Sequence, residues 1–372
     1  MAKPMTSKRN VSLVLSGGIA LGSYQAGAYE AFQEHADLQP SWLAGSSIGA
    51  VNAAIIAGNR AQDRVERLRT VWKQNDQLAS YNPSDLLWPQ DRLRHIENWT
   101  SAIRTRLVGS SGHFRPRVLA PWERFTSLYD LSPLRERLLK LIDFELLNGG
   151  EVRLSVATTD IETGDLVMFD TAKGNRIEVD HLLASCGYLP EFAPIEISGR
   201  LLGDGGLSAN APIEALLEQP PREPLTCFVI DLFARDGSRP ANLETAVARK
   251  SDLMFANQTW QRLEAYCREQ TLRIELSQCA KSGPEGAKHR QNNASATTIY
   301  YLSYRPDHSE AGSERTFDYS SRSVASRWEA GALDMKEALA IDTRRKPSRD
   351  VNLIPVRRAL APSRADANAV TS

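Results

Sequence analysis

The chain lacks the features of a membrane-spanning or covalently cross-linked protein. No apolar run reaches the roughly 18 residues that a membrane-spanning helix needs, and the apolar run at residues 11–15 is too short for a signal-peptide core. Only four of the 372 residues are cysteines, and no two of them form a Cys-x-x-Cys pair. Neither a metal site nor a disulfide scaffold is therefore indicated, and the sequence predicts a reducing, cytoplasmic location. The cysteines are Cys186, Cys227, Cys267 and Cys279.

The chain also lacks a net charge. Its 45 Lys and Arg residues balance 45 Asp and Glu residues, so the charge favours neither nucleic acid nor a strongly anionic surface as a partner. Hydrophobic residues make up 42% and charged residues 24% of the chain, which is typical of a globular protein. A chain of this length can bury one large core or two ordinary ones. The composition leaves the oligomeric state open.

A cluster of small residues, Gly45-Ser46-Ser47-Ile48-Gly49, matches the pattern Gly-x-Ser-x-Gly. Glycine at both ends removes the Cβ atoms that would block a tight strand-to-helix turn. Residues 50–58 are small and mostly apolar, which predicts a buried helix. A serine at the N-terminus of such a helix lies where backbone N–H groups stabilise a developing anion. Ser47 is therefore a candidate nucleophile, although an ordinary tight turn has the same pattern.

A glycine-containing loop at residues 16–22 follows the strand predicted at residues 11–15. A dinucleotide-binding turn would need a carboxylate roughly 20 residues further on, and residues 41–46 contain none. A phosphate-binding P-loop would need a Gly-Lys-Ser/Thr that is also missing. Two interpretations remain. The loop is a structural turn, or it is an oxyanion hole whose backbone N–H groups face a negative oxygen.

The order of the motifs resembles the patatin-like phospholipase family. Ser-Gly-Gly-x-x-x-Gly-x-Tyr-Gln-x-Gly begins at Ser16, and Gly-x-Ser-x-Gly follows at Gly45. The third family signature, Asp-Gly-Gly-x-x-x-Asn-x-Pro, begins at Asp204. The resemblance implies an α/β fold with three layers, α/β/α, around a mostly parallel central sheet.

The resemblance also implies a serine acyl hydrolase that cleaves carboxylic esters of lipids, of the phospholipase A or lysophospholipase type. Ser47 would attack the ester and form an acyl-enzyme, and Asp204 would accept the serine proton directly. The N–H groups of Gly17, Gly18 and Ile19 would hold the oxyanion. No cofactor and no metal is implied, and the partner is a lipid or other acyl ester, including one at a membrane surface. Five more glycines would support the motifs: Gly22, Gly45, Gly49, Gly205 and Gly206.

One loop departs from the family pattern. Members usually carry a third consecutive glycine where this chain has Ile19, and many carry Arg or Lys where it has Leu21. A backbone N–H survives the change from Gly to Ile, so the donor is kept. A β-branched residue resists positive φ, so we expect a strained oxyanion loop if Ile19 must adopt it.

Two other functions stay open. An α/β-hydrolase would combine Ser47 with an acid and a late histidine, for which His289 and His308 are the candidates. A lipid-binding or scaffold protein would keep the fold with weakened catalysis. Asp160, in a Thr-Asp-x-x-Thr-Gly stretch, is either a residue next to the site or the carboxylate of a turn.

The predicted organisation has four parts: a flexible N-terminus at 1–10, a catalytic domain at 11–235, a packed extension at 236–340 and a disordered tail at 341–372. The tail is basic and rich in Pro and Ala. Within the catalytic domain, residues 76–127 carry Trp88, Trp99 and Trp122 among prolines. They predict an insertion over the sheet, either a lid or a satellite core.

The extension is predicted to contain helices and strands in turn. Hydrophobic spacing favours helices at residues 244–270 and 320–339, and short apolar runs favour strands at residues 272–276 and 297–302.

Overall fold

The structure of the protein is a computed structural model. It describes residues 9–35, 38–73, 90–117, 126–217, 223–281, 296–306, 310, 312–345 and 351–357. Within this part of the chain, no helix is both long enough and apolar enough to cross a membrane.

The centre of the molecule is a mixed sheet of nine strands, and a separate pair, β3 and β4, forms a small ribbon. The sheet order is β11-β10-β9-β1-β2-β5-β8-β7, with β6 on the other edge of β5. The six strands from β11 to β5 are parallel, and β6, β7 and β8 run antiparallel to their partners. The strands are β1 (Asn10–Leu15), β2 (Trp42–Ser46), β3 (Arg115–Pro116), β4 (Tyr129–Asp130), β5 (Arg153–Asp160), β6 (Leu166–Asp170), β7 (Ile195–Ile197), β8 (Arg200–Asp204), β9 (Leu225–Asp231), β10 (Thr297–Ser303) and β11 (Val351–Pro355).

Helices cover both faces of this sheet. They are α1 (Ser23–Gln33), α2 (Ile48–Ala57), α3 (Arg64–Trp72), α4 (Gln90–Val108), α5 (Ser132–Leu141), α6 (Phe144–Asn148), α7 (Val179–Ser185), α8 (Glu214–Leu217), α9 (Leu243–Lys281) and α10 (Ser321–Arg344). All ten residues of α2 are buried, as its apolar sequence predicts.

Side chains of the central strands alternate between two cores. In β1, Leu13 belongs to the core that contains α1, α2 and α10, whereas Val14 belongs to the core that contains part of α9. Strand β9 divides in the same way, with Phe228 on the first side and Val229 on the second. Strands buried on both faces explain the continuous apolar runs of β1 and β9. The three-layer α/β/α fold with a mostly parallel sheet is therefore confirmed.

The first and last long helices of the described chain pack directly on one another. A Cβ atom on Gly27 of α1 would lie 1.9 Å from the Trp328 carbonyl oxygen of α10. Reciprocally, a Cβ atom on Gly331 would lie 1.9 Å from the Tyr24 carbonyl oxygen. Only glycine at both positions allows this approach, and the Tyr24 hydroxyl adds a 2.8 Å hydrogen bond to Asp334.

The prediction of a strand at residues 272–276 is wrong, because helix α9 continues unbroken to Lys281. The alternation of Leu272, Ile274 and Leu276 suggested a strand, but five alternating residues are too few to exclude a helix. Leu272 and Leu276 are 58% and 69% exposed, so they bury no strand face. Leucine, arginine and glutamate are good helix formers, and Arg273 pairs with Glu269 one turn earlier.

The two ends of the described chain are more ordered than predicted. Helix α10 runs to Arg344, and residues 351–355 form β11 beside β10, so the prediction of a disordered tail is wrong for these segments. Apolar residues of β11 extend the sheet where β10 would otherwise leave an unpaired edge. At the other end, Arg9 pairs with Asp342 and β1 starts at Asn10, so neither residue belongs to a flexible terminus. Residues 1–8 and 358–372 lie outside the described residues.

The predicted insertion is only partly described. Its described segments hold α4, β3 and Trp99, which is 46% exposed. Residues 74–89 and 118–125, with Trp88 and Trp122, lie outside the described residues, so a lid at 76–127 stays a prediction.

Candidate active site

The register of the sheet brings Ser47 and Asp204 to the same place. Ser46, the last residue of β2, pairs with Ala157 of β5, and Asp204, the last residue of β8, pairs with the next residue, Thr158. Strand β6 occupies the opposite edge of β5, so β8 continues along the edge that β2 leaves. The two strands therefore end next to each other.

Ser47 lies on a tight turn between β2 and α2, as its motif predicts. Its backbone adopts φ 54° and ψ −128°, a conformation that costs a non-glycine residue on the order of 1–3 kcal/mol. The helix begins at once, because the Ala50 and Val51 N–H groups donate to the Ser47 carbonyl. The Ser47 N–H donates to Ser185 Oγ over 2.8 Å. These bonds hold the serine side chain at the end of the sheet.

Asp204 is a buried carboxylate beside this serine. Its side chain is 3% exposed, and burial raises its pKa to about 7. The nearby Ser47 side chain and a 2.6 Å hydrogen bond from the Gly206 N–H oppose this rise in the pKa by favouring the ionised form. A carboxylate with this pKa accepts a proton far more readily than one in water.

The five glycines predicted to support the motifs all lie in crowded surroundings. A Cβ atom at any of these positions would come within 3.0 Å of a neighbouring atom. The tightest case is Gly49, whose Cβ would lie 2.2 Å from the Leu15 carbonyl oxygen, so α2 starts in direct contact with the end of β1. The five are Gly22, Gly45, Gly49, Gly205 and Gly206.

The glycine loop offers two of the three predicted oxyanion donors. The Gly17 N–H already donates to the Asn210 carbonyl over 3.1 Å, so in this conformation it is not open to an oxyanion. The Gly18 and Ile19 N–H groups donate to no acceptor within the described part of the chain. Ile19 has φ 52°, which is the strained, positive value anticipated for this position. The loop therefore leaves two of the three predicted donors unengaged within the described residues, at the cost of backbone strain.

A family comparison decides the class of protein. The family model described as patatin-like phospholipase matches residues 13–217, which is more than half of the 372 residues. The chain belongs to the patatin-like phospholipase family. As a member of this family, it is a hydrolase of lipid esters.

Solved structures resemble this patatin-like chain only distantly. VipD from Legionella pneumophila shares 13% sequence identity over 90% of this chain and 67% of its own, with a TM-score of 0.41. ExoU, solved with SpcU of the type III secretion system of Pseudomonas aeruginosa, shares 14% identity over 98% of this chain and 83% of its own, with a TM-score of 0.29. Among curated proteins, none matches the sequence.

A mostly apolar pocket adjoins Ser47 in this patatin-like protein. Its cavity volume is about 30 Å³, which is room for about two water molecules, so a long acyl chain enters only if side chains move. The lining residues are Ile19, Ser47, Ile48, His113, Phe114, Leu131, Leu134, Cys186, Tyr188, Phe192 and Tyr319. Ile19 thus serves both the oxyanion loop and the pocket wall.

Arg327 of α10 reaches the glycine loop from the far end of the sequence. Its guanidinium is fully buried and donates to the Ala20 carbonyl over 3.2 Å. It also donates to the carbonyls of Asp318 and Arg315, at 2.7 and 2.9 Å, and pairs with Glu310. The strained residue Ile19 precedes Ala20, so α10 fixes the conformation of the loop.

Sequence reasoning did not assign several residues of the site. Asn210 was visible in the third signature, and its carbonyl holds the Gly17 N–H. Ser185 is the last residue of α7 and bridges Ser47 to the Ala157 carbonyl. Tyr319 and Arg327 lie beyond the matched family region, and no local pattern links them to Ser47.

Asp160 acts as the carboxylate of a turn. Its Oδ1 accepts the N–H groups of Glu162 and Thr163, and its Oδ2 accepts Arg200 at 2.7 Å. The hydrogen bond from Arg200 holds the pKa of Asp160 below its usual range. All of these partners belong to the β5–β6 turn or to β8. Within the described residues, no group of three or more His, Cys, Asp or Glu side chains could hold a metal ion.

Proposed function

We propose that this protein cleaves carboxylic esters of lipids, in the manner of a phospholipase A or lysophospholipase, through a dyad of Ser47 and Asp204. The observation that carries the proposal is a buried carboxylate, with a pKa raised to about 7, beside a serine on a strained turn at a helix N-terminus. Strained backbone and perturbed carboxylates concentrate at functional sites.

The first half of the reaction forms an acyl-enzyme. Ser47 Oγ attacks the ester carbonyl carbon, its proton passes to the Asp204 carboxylate, and the carbonyl electron pair moves to oxygen. The N–H groups of Gly18 and Ile19 stabilise this oxyanion, and one such donor contributes about 3 kcal/mol. Collapse of the intermediate breaks the ester C–O bond, and Asp204 returns the proton to the leaving alcohol.

The second half of the reaction releases the acid. A water molecule attacks the acyl-enzyme carbonyl, gives its proton to Asp204 and forms a second oxyanion at the same donors. Breakdown of this intermediate returns the proton to Ser47 Oγ. Asp204 thus alternates between base and acid, which a pKa near neutrality allows in both directions.

The dyad is tested with the wild-type protein and the variants Ser47→Ala and Asp204→Ala, on p-nitrophenyl esters and on phospholipids. We expect both variants to lose turnover by at least about 100-fold. A fluorophosphonate probe should label the wild-type protein and leave Ser47→Ala unlabelled. Equal turnover by the three proteins would refute the dyad. Folded wild-type protein that neither reacts with the probe nor hydrolyses any ester would favour the scaffold alternative.

The Ser-Asp-His alternative has weaker support. His289 and His308 lie outside the described residues. His113 lines the pocket, but burial lowers its pKa to about 3, and its Nδ1 faces Ser110 rather than a carboxylate. Such an imidazole is a poor base at neutral pH. Loss of activity in His289→Ala or His308→Ala would support the triad instead.

We also propose that the substrate is met at a membrane surface, with the protein in the cytoplasm. Leu107, Val108 and Leu128 are 72%, 66% and 50% exposed. Tyr129, next to Leu128, bonds the Arg106 carbonyl and packs on Phe114 of the pocket, so this apolar patch adjoins the site. Leu128→Ser should weaken sedimentation with phospholipid vesicles, whereas Leu276→Ser, on α9 and 69% exposed, should not. Equal vesicle binding by both variants would argue against the patch.

A further inference from the structure

One polar atom in the pocket has no partner. His113 is 3% exposed, and its Nε2 forms no hydrogen bond within the described part of the chain. Buried side-chain nitrogens are nearly always paired, so an unpaired one calls for an explanation. Because His113 lines the pocket beside Ser47, a bound substrate is a natural source of the missing partner.

The state of the ring indicates what kind of partner is missing. Nδ1 lies 3.3 Å from Ser110 Oγ, and burial lowers the pKa of His113 to about 3, so the ring is neutral at ordinary pH. A neutral imidazole donates from one ring nitrogen and accepts at the other. A hydroxyl group both donates and accepts, so it pairs with Nε2 in either tautomer.

A second polar group lies next to this nitrogen. The rings of Tyr319 and His113 are 4.6 Å apart, and the Tyr319 hydroxyl makes no hydrogen bond to any residue that the structure describes. Cys186, an uncharged thiol because burial raises its pKa, lines the pocket together with Tyr319 and Ser47. Polar atoms therefore extend from the nucleophile along one wall of the pocket.

The other side chains that line the pocket are mostly apolar. Phe114, Leu131, Leu134 and Phe192 offer only carbon atoms to a ligand. An acyl chain without polar atoms would fit these walls but would leave Nε2 unpaired, and would displace any water that paired with it. The small free volume of about 30 Å³ also favours a short chain.

We propose that the pocket selects short acyl groups that carry a hydroxyl on the chain, which pairs with His113 Nε2 and with the Tyr319 hydroxyl. This inference rests on the proposed function, in which the pocket receives the acyl part of the ester. A site that pairs with a substrate hydroxyl discriminates against the analogue that lacks it, because its own polar groups are then left unpaired.

The test compares p-nitrophenyl butanoate with its 2-, 3- and 4-hydroxybutanoate analogues. For the wild-type protein, we expect kcat/KM to be on the order of 10-fold higher or more for at least one hydroxylated ester. His113→Phe keeps an aromatic ring without nitrogen, and the ratio should fall to about 1. His35→Phe, two residues beyond the end of α1, is the matched control and should keep the wild-type ratio. A wild-type ratio near 1, or the same fall in kcat/KM for both kinds of ester in His113→Phe, overturns the proposal.

A binding measurement separates this proposal from the dyad. Calorimetry on Ser47→Ala with butanoate and the hydroxybutanoates needs no catalysis. A hydroxybutanoate should bind more tightly than butanoate, and this difference should be lost when His113→Phe is added. That result supports the selection even if no ester is turned over, and in that case only the dyad is refuted. Tyr319→Phe removes a single oxygen and should reduce the preference even if His113→Phe does not fold. Equal binding of all the acids overturns the selection while the dyad can still hold.

Discussion

Ser47 and Arg327 belong to two parts of the chain that serve the site in different ways. The part up to residue 217, which the family model matches from residue 13, carries Ser47 and Asp204, the proposed reacting groups. The part from residue 225 to residue 357 adds β9, β10, β11 and α10, and it supplies Arg327 and Tyr319. In this proposal, the first part performs the chemistry, and the second holds the glycine loop and lines the pocket.

The two parts also differ in whether their key residues are strained or well paired. Ser47 and Ile19 have positive φ, and Asp204 is a buried carboxylate with a raised pKa. In contrast, the Arg327 guanidinium meets two carboxylates and three carbonyls. Strain at a functional site persists only where surrounding structure fixes it. The comparison therefore predicts that changes in the first part cost activity, whereas changes in the second part cost stability and activity together.

The largest effect is expected for Asp204→Asn, which should lose activity but gain stability. Turnover should fall on the order of 1000-fold. The pKa of Asp204 is raised from 3.8 to about 7, so burying its ionised form destabilises the wild-type protein. This loss of stability grows as the pH rises from about 4 to 7 and is complete above pH 7. The variant removes this cost, and its free energy of unfolding at pH 8 should rise by as much as roughly 4 kcal/mol, with no gain at pH 4.

Urea denaturation at the two pH values measures this, with the exposed Asp63→Asn as control. A variant that is less stable at pH 8 would mean that Asp204 contributes to stability and that the comparison fails for this residue.

The second effect is a joint loss in Arg327→Lys. Lysine keeps the charge but cannot reproduce the several directed bonds of the guanidinium. We expect the free energy of unfolding to fall by about 3 kcal/mol and kcat to fall about 10-fold with a smaller change in KM, because the oxyanion loop loses its anchor at Ala20. Denaturation and steady-state kinetics measure both, with Arg344→Lys, exposed on the same helix, as control. Unchanged kcat in a folded but less stable variant would show that Arg327 supports the fold alone.

A third test compares two buried carboxylates, one from each part. Burial raises the pKa of Asp204 to about 7 and that of Asp231 to about 6. Because the base must be ionised, kcat/KM should decline below about pH 7 and approach a tenfold loss per pH unit. Profiles of kcat/KM from pH 5 to 9 should show this decline at the same pH in the wild-type protein and in Asp231→Asn. A decline that shifts to another pH in Asp231→Asn would assign the titration to Asp231, in the second part.

The smallest effect concerns Ile19, where the first part stores strain. Glycine tolerates φ 52° and alanine does not. Ile19→Gly should therefore be more stable than Ile19→Ala by about 1 kcal/mol, with kcat within a few-fold of the wild type. Both variants lose the isoleucine side chain, so comparing them with each other cancels that loss. Equal stability would mean that this residue relaxes to negative φ in solution.

Local features of the site could be predicted, since the chemistry depends on neighbouring residues. The turn at Ser47 and the strand ending at Asp204 follow from glycine spacing and β-branched or apolar runs. The engaged Gly17 N–H could not be foreseen, because its acceptor on Asn210 lies 193 residues away. Arg327 and His113 were missed for the same reason, since their roles depend on contacts that only the folded sheet creates. The prediction of a strand at residues 272–276 was wrong because a short alternating run fits both the strand and the helix periodicity.

The glycine contact between α1 and α10 joins elements from opposite ends of the described chain, and β1 likewise pairs with β9. Such distant pairings make folding slow, because long loops must close before the contacts form. During synthesis, the chain through Asp204 already contains both residues of the proposed dyad, yet β1 lacks β9 and Ala20 lacks Arg327. The nascent protein is therefore expected to stay inactive until α10 has left the ribosome. Ester cleavage should thus begin only after the helix that holds the glycine loop has been made.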